Sequence, residues 1–490
     1  MAGSESKSYA APQVSTYKQE RVAIVGNFQN RFSDSSKDQR FVNCFPELQK
    51  DTITEAKKIY TVKRAGLDVY STVVGGGAAG RGCFYWEGAL YSVFGTTVYR
   101  NTSAILTLST STGTCGFIEA DGTALGSPVP KVLFLSDGTK AYWIQSDGTD
   151  TEIIDVDLPT PHIAQPVFLD GYVFLLDSGT PSLYNCTVNK PDDWVSTNFI
   201  DAESFQDDGV GIARVANLIV VFGRFTTEFM FNNGNATGSP LSRSDMGVLQ
   251  VGCANKDTIC QNERFCIFVS QSDSGGRAVW RIDGYQPKKI SHEAIDKLLD
   301  AEGANISNAV AMDLRLQGHY FYILNLTNRT LVYDIEEDFW SEWSTNNSGS
   351  HSKFKYAYMC DPLVGMPVIQ HDTDGKLYKF NHATYDDAGT SIITQITTTK
   401  LDFGTYNRKF LHEIELVGDS TTTASAVTVK WSDDDYNTWT SGRDVDMVYT
   451  SRPRLTRLGA FRRRAFDLKH TASQPLRLEA MEFRFNAGMH

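Results

Sequence analysis

GHYFYILNLTNRTLVYDIEEDFWSEW, Gly318 to Trp343, decides the fold class. Two runs of aromatic and β-branched residues flank a polar turn around Asn328, a residue type that tolerates left-handed backbone geometry, so the stretch is a β-hairpin. The same texture recurs in LYSVFGTTVYR from Leu90, VLFLSDGTKAYWIQSDGTDTEII from Val132, YVFLLDSGTPSLYN from Tyr172 and LIVVFGRFTTEFMF from Leu218. It continues in RFCIFVSQSDSGGRAVWRI from Arg264 and MPVIQHDTDGKLYKF from Met366. Most of these hairpins begin about 45 to 55 residues after the last, close to one β-propeller blade, while Val132 and Tyr172 fall closer. The pattern predicts an all-β chain with a propeller-like domain of six or seven blades over residues 43–390. Two stacked β-sandwiches would space their turns similarly and stand as the alternative.

One helix interrupts the strands. In ISHEAIDKLLDAEG, Ser291 is the expected N-cap, Ile295, Leu298 and Leu299 form an apolar stripe, and Gly303 can end the helix on a sheet edge. After DDAGT, Asp386 to Thr390, the texture turns to longer Thr-rich alternation, which predicts a C-terminal β-sandwich-like domain over 391–490. Residues 1–42 read as an N-terminal arm whose one strand candidate is VAIVGNF from Val22.

At 490 residues, 41% hydrophobic, 12% aromatic and 21% charged, the chain is long enough for several cores and too apolar for disorder. A net charge of -12 leaves no global basic footprint for wrapping duplex DNA, though it would suit a wall past which DNA must slide. The N-terminus has no apolar core of a signal peptide, and no apolar run reaches the roughly 20 residues that span a bilayer. Cys44, Cys83, Cys115, Cys186, Cys253, Cys260, Cys266 and Cys360 never form C-x-x-C, which points to reduced thiols made in a cytoplasm and away from zinc. Sequons such as Asn235 to Thr237 are then coincidental.

Beside GYQPKKISHEAIDKLL, Gly284 to Leu299, the opening stretch resembles a signature of the tail hub or nozzle proteins of short-tailed bacteriophages, the podovirus packaged DNA stabilization family. RFVNCFPE at Arg40 to Glu47 resembles the family's entry motif, and RGCFYWEGALYSVFGTTVYR at Arg81 its first hairpin. VVFGRFTTEFMFNNGN at Val220 resembles its mid-chain hairpin, and DGKLYKFNHATYDDAGT at Asp374 the exit from the propeller-like region. VKWSDDDYNTW at Val429 and RLTRLGAFRRRAFDL at Arg454 resemble its C-terminal domain, in the same order. The resemblance implies a homohexameric ring below the portal or head-to-tail adaptor of a virion tail. Such a ring extends the DNA channel, retains the packaged genome and docks tail fibres or spikes and a plug or needle. Genomic duplex would pass through the lumen without sequence-specific binding, and the role needs no turnover and no cofactor.

Several residue groups could carry chemistry. WSDDDYNTW matches an Asp box, with Ser432, Asp434, Thr438 and Trp439 in place and Tyr436 where Gly is expected, and reads as a structural hairpin device. Glu336, Glu337 and Asp338 could supply two glycosidase carboxylates, but adjacent acids on a turn are far more often solvated. His292, His319 and His371 are too scattered for a metal site, and His319 reads as a packed or interface histidine. No P-loop, G-x-S-x-G or H-E-x-x-H occurs. SRPRLTRLGAFRRRAFDLKH, Ser451 to His470, carries seven Lys and Arg against one Asp. Read as a strand, it puts Arg462 and Arg464 on one face and Arg463 on the other.

Arg454, Arg457, Arg462 and Arg464 are therefore candidates for contact with a neighbouring subunit, the portal or DNA phosphate, set against a solvated face near Asp433 to Asp435. If they make the contact, replacing Arg462 and Arg464 with Glu should abolish assembly. The competing reading of the whole chain is a glycan-binding or glycan-cleaving propeller, which requires acids and aromatics to converge on one funnel.

Overall fold

A computed structural model describes residues 17–25, 39–50, 57–74, 77–202, 207–245, 247–362 and 366–488. Among the described residues, seven antiparallel stacks of four strands, the fifth with one extra short strand, have first strands beginning at residues 80, 116, 167, 209, 252, 310 and 356. First strands of neighbouring stacks pack on one another, with Cys260–Gln261 taking that place in the fifth, and Tyr356–Cys360 of the seventh packs back on Gly80–Trp86 of the first. This is a β-propeller. An apolar core fills each gap between neighbours, from Tyr91, Leu133 and Tyr142 between blades 1 and 2 to Cys83, Leu90, Cys360 and Leu377 between blades 7 and 1.

Each hairpin recognised in the sequence is the second and third strand of a blade. Those strands are covered on both faces by neighbouring blades, so they carry continuous apolar runs: all seven residues of His319–Asn325 and all five of Thr330–Asp334 are buried. The tight turns take left-handed geometry, with φ of 47° and 77° at Glu87 and Gly88 and 54° and 86° at Gln317 and Gly318.

The ring is closed by sequence-distant pairing. Gly66–Thr72 lies antiparallel to Lys376–Asn381 as the outer strand of blade 7. The helix α1 (Glu293–Ala301) buries Ile295, Leu298 and Leu299 in the core between blades 5 and 6. The N-cap expectation needs correcting: the N-cap residue is His292, and the Ser291 hydroxyl accepts from the Val279 amide at 2.9 Å and donates to Asp296 at 2.5 Å. That hydroxyl links the helix to blade 5. Among the described residues, no helix is long and apolar enough to cross a membrane.

A β-sandwich lies radially outside blade 6. One sheet continues that blade's outer strand, Phe339–Asn347, through Arg40–Val42, Thr394–Thr397, Ala465–His470, Ala426–Ser432 and Arg443–Asp446. The other joins Cys44–Lys50, Lys57–Lys63, Arg477–Ala487, Lys409–Gly418 and Arg454–Thr456, and Lys18–Ala23 also pairs with Arg477–Ala487. Phe41, Ile396, Val427, Phe466, Met481 and Phe483 fill its core.

The expected boundary at residue 43 is thus overturned. Strands on both sides of Asn43 belong to the sandwich, because Phe41 completes its core and Thr61 and Val62 find hydrogen-bonding partners in Leu478 and Arg477. Of the expected arm, the described parts contain the paired strands Lys18–Ala23, which includes Val22, and Arg40–Val42, while residues 1–16 and 26–38 lie outside the described residues.

The RFVNCFPE stretch forms the junction between the two bodies. Arg40 makes two bonds, at 3.0 and 2.8 Å, to Glu342 of blade 6. Asn43, at a φ of 56°, donates to Ser344 and to the Ile393 carbonyl and accepts from Arg64 Nε. Arg64 is fully buried, bonds Asp387 at 2.8 and 2.6 Å, and lies over the rings of Trp343 and Phe354. Lys63, also fully buried, donates from Nζ to the Ala472 carbonyl at 2.7 Å. Burial, and then the adjacent Arg64 charge, pull its amine down to about 7.

Candidate functional site

The arginine-rich segment divides into three environments. On the sandwich surface, Arg452 bonds Glu415 at 2.9 and 2.6 Å, and Arg454 pairs with Glu413 at 3.4 Å. Arg457 is exposed on a turn at a φ of 59°. The expected alternation of Arg462, Arg463 and Arg464 fails, because Arg462 and Arg463 form a bend and Arg464 bridges to Leu401 just before the strand Ala465–His470. Arg462 is exposed, its guanidinium over the Tyr406 ring at 5.5 Å and its Nη1 donating to the Tyr406 carbonyl at 2.9 Å. Arg463 is half-buried and reaches Asp435 at 3.2 Å.

Arg464 turns inward. Its guanidinium bonds Asp433 at 2.6 and 2.8 Å and the Leu458 carbonyl at 2.8 Å, over the Phe461 ring at 4.5 Å. Three of its N–H groups are bonded inside its own chain and its side chain is 2% exposed, so it faces the interior while Arg462 faces solvent. The paired Arg462 and Arg464 substitution would therefore mix a surface effect with a core effect.

The Asp box folds as a turn. Asp434 accepts from the Thr438 amide at 2.9 Å, the Thr438 hydroxyl at 2.6 Å and the Ser432 hydroxyl at 2.8 Å, and those bonds hold its carboxyl down at about 2. The Ser432 oxygen accepts from the Tyr436 amide at 2.9 Å. Tyr436 adopts a φ of 66° in the glycine position, and its phenol donates to the Thr398 carbonyl while Trp439 packs 5.9 Å away. The four bonds among Ser432, Asp434, Tyr436 and Thr438 serve the turn, and the Tyr436 phenol ties it to Thr398.

Glu336, Glu337 and Asp338 occupy the turn leading into the outer strand of blade 6 and line an external cleft of about 500 Å3 with Lys288, His292 and Trp340. Asp338 accepts from the Tyr333 hydroxyl at 2.6 Å, and burial with the charge of Asp334 pushes Glu337 up from the usual carboxylate range. His319 is buried against Asp334 at 2.6 Å and between Phe45 and Phe321. His371 lies 3.4 Å from Asp372 and 3.3 Å from Asp374. Among the described residues, no cluster of His, Cys, Asp and Glu has the arrangement of a metal site.

On the propeller axis, segments of five blades enclose about 260 Å3 lined by Cys83, Phe117, Cys260, Met312, Asp313 and Met359 among others. Asp313, raised by burial, accepts from the Tyr320 hydroxyl. All eight cysteines are unbridged and buried, and burial raises the thiols of Cys115, Cys186 and Cys253 to about 12.

Two exposed features escaped the sequence reading. Tyr406 and Phe410 stand in solvent beside Arg462 and Arg408, and Ile154 and Val156 project from the connection between blades 2 and 3. Their signal was faint: single apolar residues in polar stretches look like ordinary surface.

The profile of a family described as "Bacteriophage P22 Gp10, beta-propeller" matches residues 29–385. No curated protein sequence matches the chain. Among solved structures, a streptogramin B lyase is similar at 9% identity and a TM-score of 0.40, over 65% of this chain and 98% of that one. The N-terminal domain of Nup159 is similar at 9% identity and a TM-score of 0.37, over 70% of this chain and 100% of that one. The extracellular domain of the hybrid two-component system BT4673 from B. thetaiotaomicron is similar at 8% identity and a TM-score of 0.41, over 89% and 62%.

Proposed function

The chain belongs to the family of the bacteriophage P22 Gp10 β-propeller, a family of phage structural proteins of the virion tail, and from that premise we propose that it is the nozzle subunit. Six copies form a ring below the portal, extend the DNA channel, retain the packaged genome and offer docking faces to fibres or spikes and to a plug. The observation that carries this reading is the family match over residues 29–385.

Physical features support it. The axial cavity of one propeller, about 260 Å3, is far too small for a duplex whose major groove alone is about 12 Å wide, so a DNA path has to run between copies. A net charge of -12 disfavours adhesion of phosphate to a lumen. The sheet shared by blade 6 and the sandwich makes the subunit stiff, as a part loaded by genome pressure must be.

Within this reading the chain has two working bodies: a propeller whose strands run from Gly66–Thr72 to Lys376–Asn381, and a sandwich built from Lys18–Ala23, Arg40–Val42, Cys44–Lys50, Lys57–Lys63 and the strands from Thr394–Thr397 to Arg477–Ala487. Arg454, Arg457 and Arg462 are the arginines that meet a neighbour or the portal, and Arg464 holds the bend that presents Arg462. No chemical step is assigned. The glycan reading gains nothing from the axis, where Asp313 is the one acid among the described lining residues. Counting copies per portal in purified particles by quantitative mass spectrometry tests the proposal. Six copies per portal ring would support it, and one copy or none would end it.

A further inference from the structure

Two surfaces of one subunit complement each other and cannot meet within it. The first is a knob at the outer rim between blades 2 and 3. Ile154 and Val156 are 90% and 98% exposed, yet their loop is firmly held. The Asp155 carboxylate accepts from the amides of Trp194 and Asp157, each at 2.9 Å, and its carbonyl accepts from the Leu158 amide at 3.3 Å. Two aliphatic side chains fixed in water by a built turn are the profile of an anchor awaiting a partner. Asp150, Glu152, Asp155 and Asp157 surround them in sequence, and Asp192 and Asp193 flank Trp194 on the next blade. Lys140 offsets Glu152 and Lys190 offsets Asp193, which leaves the knob acidic.

The second surface is on the sandwich. Tyr406 and Phe410 are 64% and 47% exposed. Arg462 and Arg463 lie 5.5 and 5.9 Å over the Tyr406 ring, and Arg408 lies 5.9 Å over Phe410. The patch is aromatic and basic, the composition that anchors protein interfaces.

Their placement decides what they can bind. The sandwich extends blade 6 outward, and in a ring of seven blades the rim between blades 2 and 3 lies half a turn away. Complementary patches at opposite ends of one molecule make a heterologous contact, which closes into a ring when the rotation between copies allows.

We propose that Ile154 and Val156 of one copy seat on the Tyr406 and Phe410 patch of the next, with Asp157 facing Arg408 and Arg462, as the head-to-tail contact of the assembly. This rests on the ring reading above and names its contact surface.

The test uses particles assembled with the full chain carrying Val156→Cys and Phe410→Cys together, treated with a short bis-maleimide. The native cysteines are buried, so the introduced pair reacts first. A ladder of covalent oligomers is expected from the double variant and monomer from either single one. Adding Asp157→Lys or Arg462→Glu lowers the ladder about fivefold, and adding both restores it to within about twofold. Separately, Ile154→Ser with Val156→Ser keeps the melting temperature within about 1 °C and cuts incorporation about tenfold. Particles that hold several copies but give no ladder, or that incorporate the serine variant normally, overturn this pairing and leave the ring standing. Particles with one copy per portal overturn the ring and the pairing together.

Discussion

Arg64 and Arg462 carry the same side chain into opposite surroundings. Arg64 lies fully buried where propeller meets sandwich, with Asp387, Asn43 and backbone carbonyls taking its donors. Arg462 stands in solvent over Tyr406 with a single backbone carbonyl bonded. A buried guanidinium must be paired within the chain because desolvation is costly, and that pairing fixes two bodies in one arrangement. An exposed one stacked on an aromatic ring contributes little to folding and keeps donors for a neighbour. Arg464 shows that two positions along a bend are enough to move from one class to the other.

The largest effect that would sharpen this contrast is at the junction. Arg64→Met leaves Asp387 buried without its cation and should cost about 3 to 5 kcal/mol in denaturant unfolding; a cost below about 1 kcal/mol would erase the distinction between the two arginines.

Next is Lys63, whose amine is lowered by burial to about 7 from its ordinary 10.5. Between those values the unfolded chain binds a proton that the folded chain does not, so stability rises with pH across the window and the penalty is fully present below about 7. Replacing Lys63 with Met should flatten the rise between pH 7 and 10 by about 2 to 4 kcal/mol, read from midpoints at stepped pH. An unchanged slope would mean the amine is hydrated when folded. His470, lowered to about 3 by burial and then by Lys63, acts in the same direction lower down, its stability contribution rising from about pH 3 to 6.5.

Arg464→Ala should cost about 2 to 3 kcal/mol, less than at Arg64 because Asp433 is partly exposed and can rehydrate. The smallest effect is Arg462→Ala, within about 0.5 kcal/mol in unfolding while assembly falls. A large loss of stability there would turn the proposed contact into one more internal brace.

The sequence made the middle hairpin of every blade legible, because strands covered on both faces carry unbroken apolar runs. It hid the edges. Gly66–Thr72 closes blade 7 through partners some three hundred residues away, as Leu67 opposite Phe380 shows, and nothing local in GLDVYST announces that pairing. Likewise Lys57–Lys63 and Arg477–Ala487 meet from opposite ends of the chain, so the change of texture after Asp386 marked only part of the sandwich. The Asp box was legible because its bonds are local, from Ser432 to Thr438. The burial of Arg464 was not, since it follows from a bend where the strand had been expected to begin.

The most direct test of the central claim is the mass of the purified chain by light scattering, alone and then with the cognate portal ring. A sixfold complex on the portal is the predicted result, formed by the parent chain and by Arg464→Lys but weakened by Arg462→Glu. A chain that remains monomeric beside an intact portal would contradict the account.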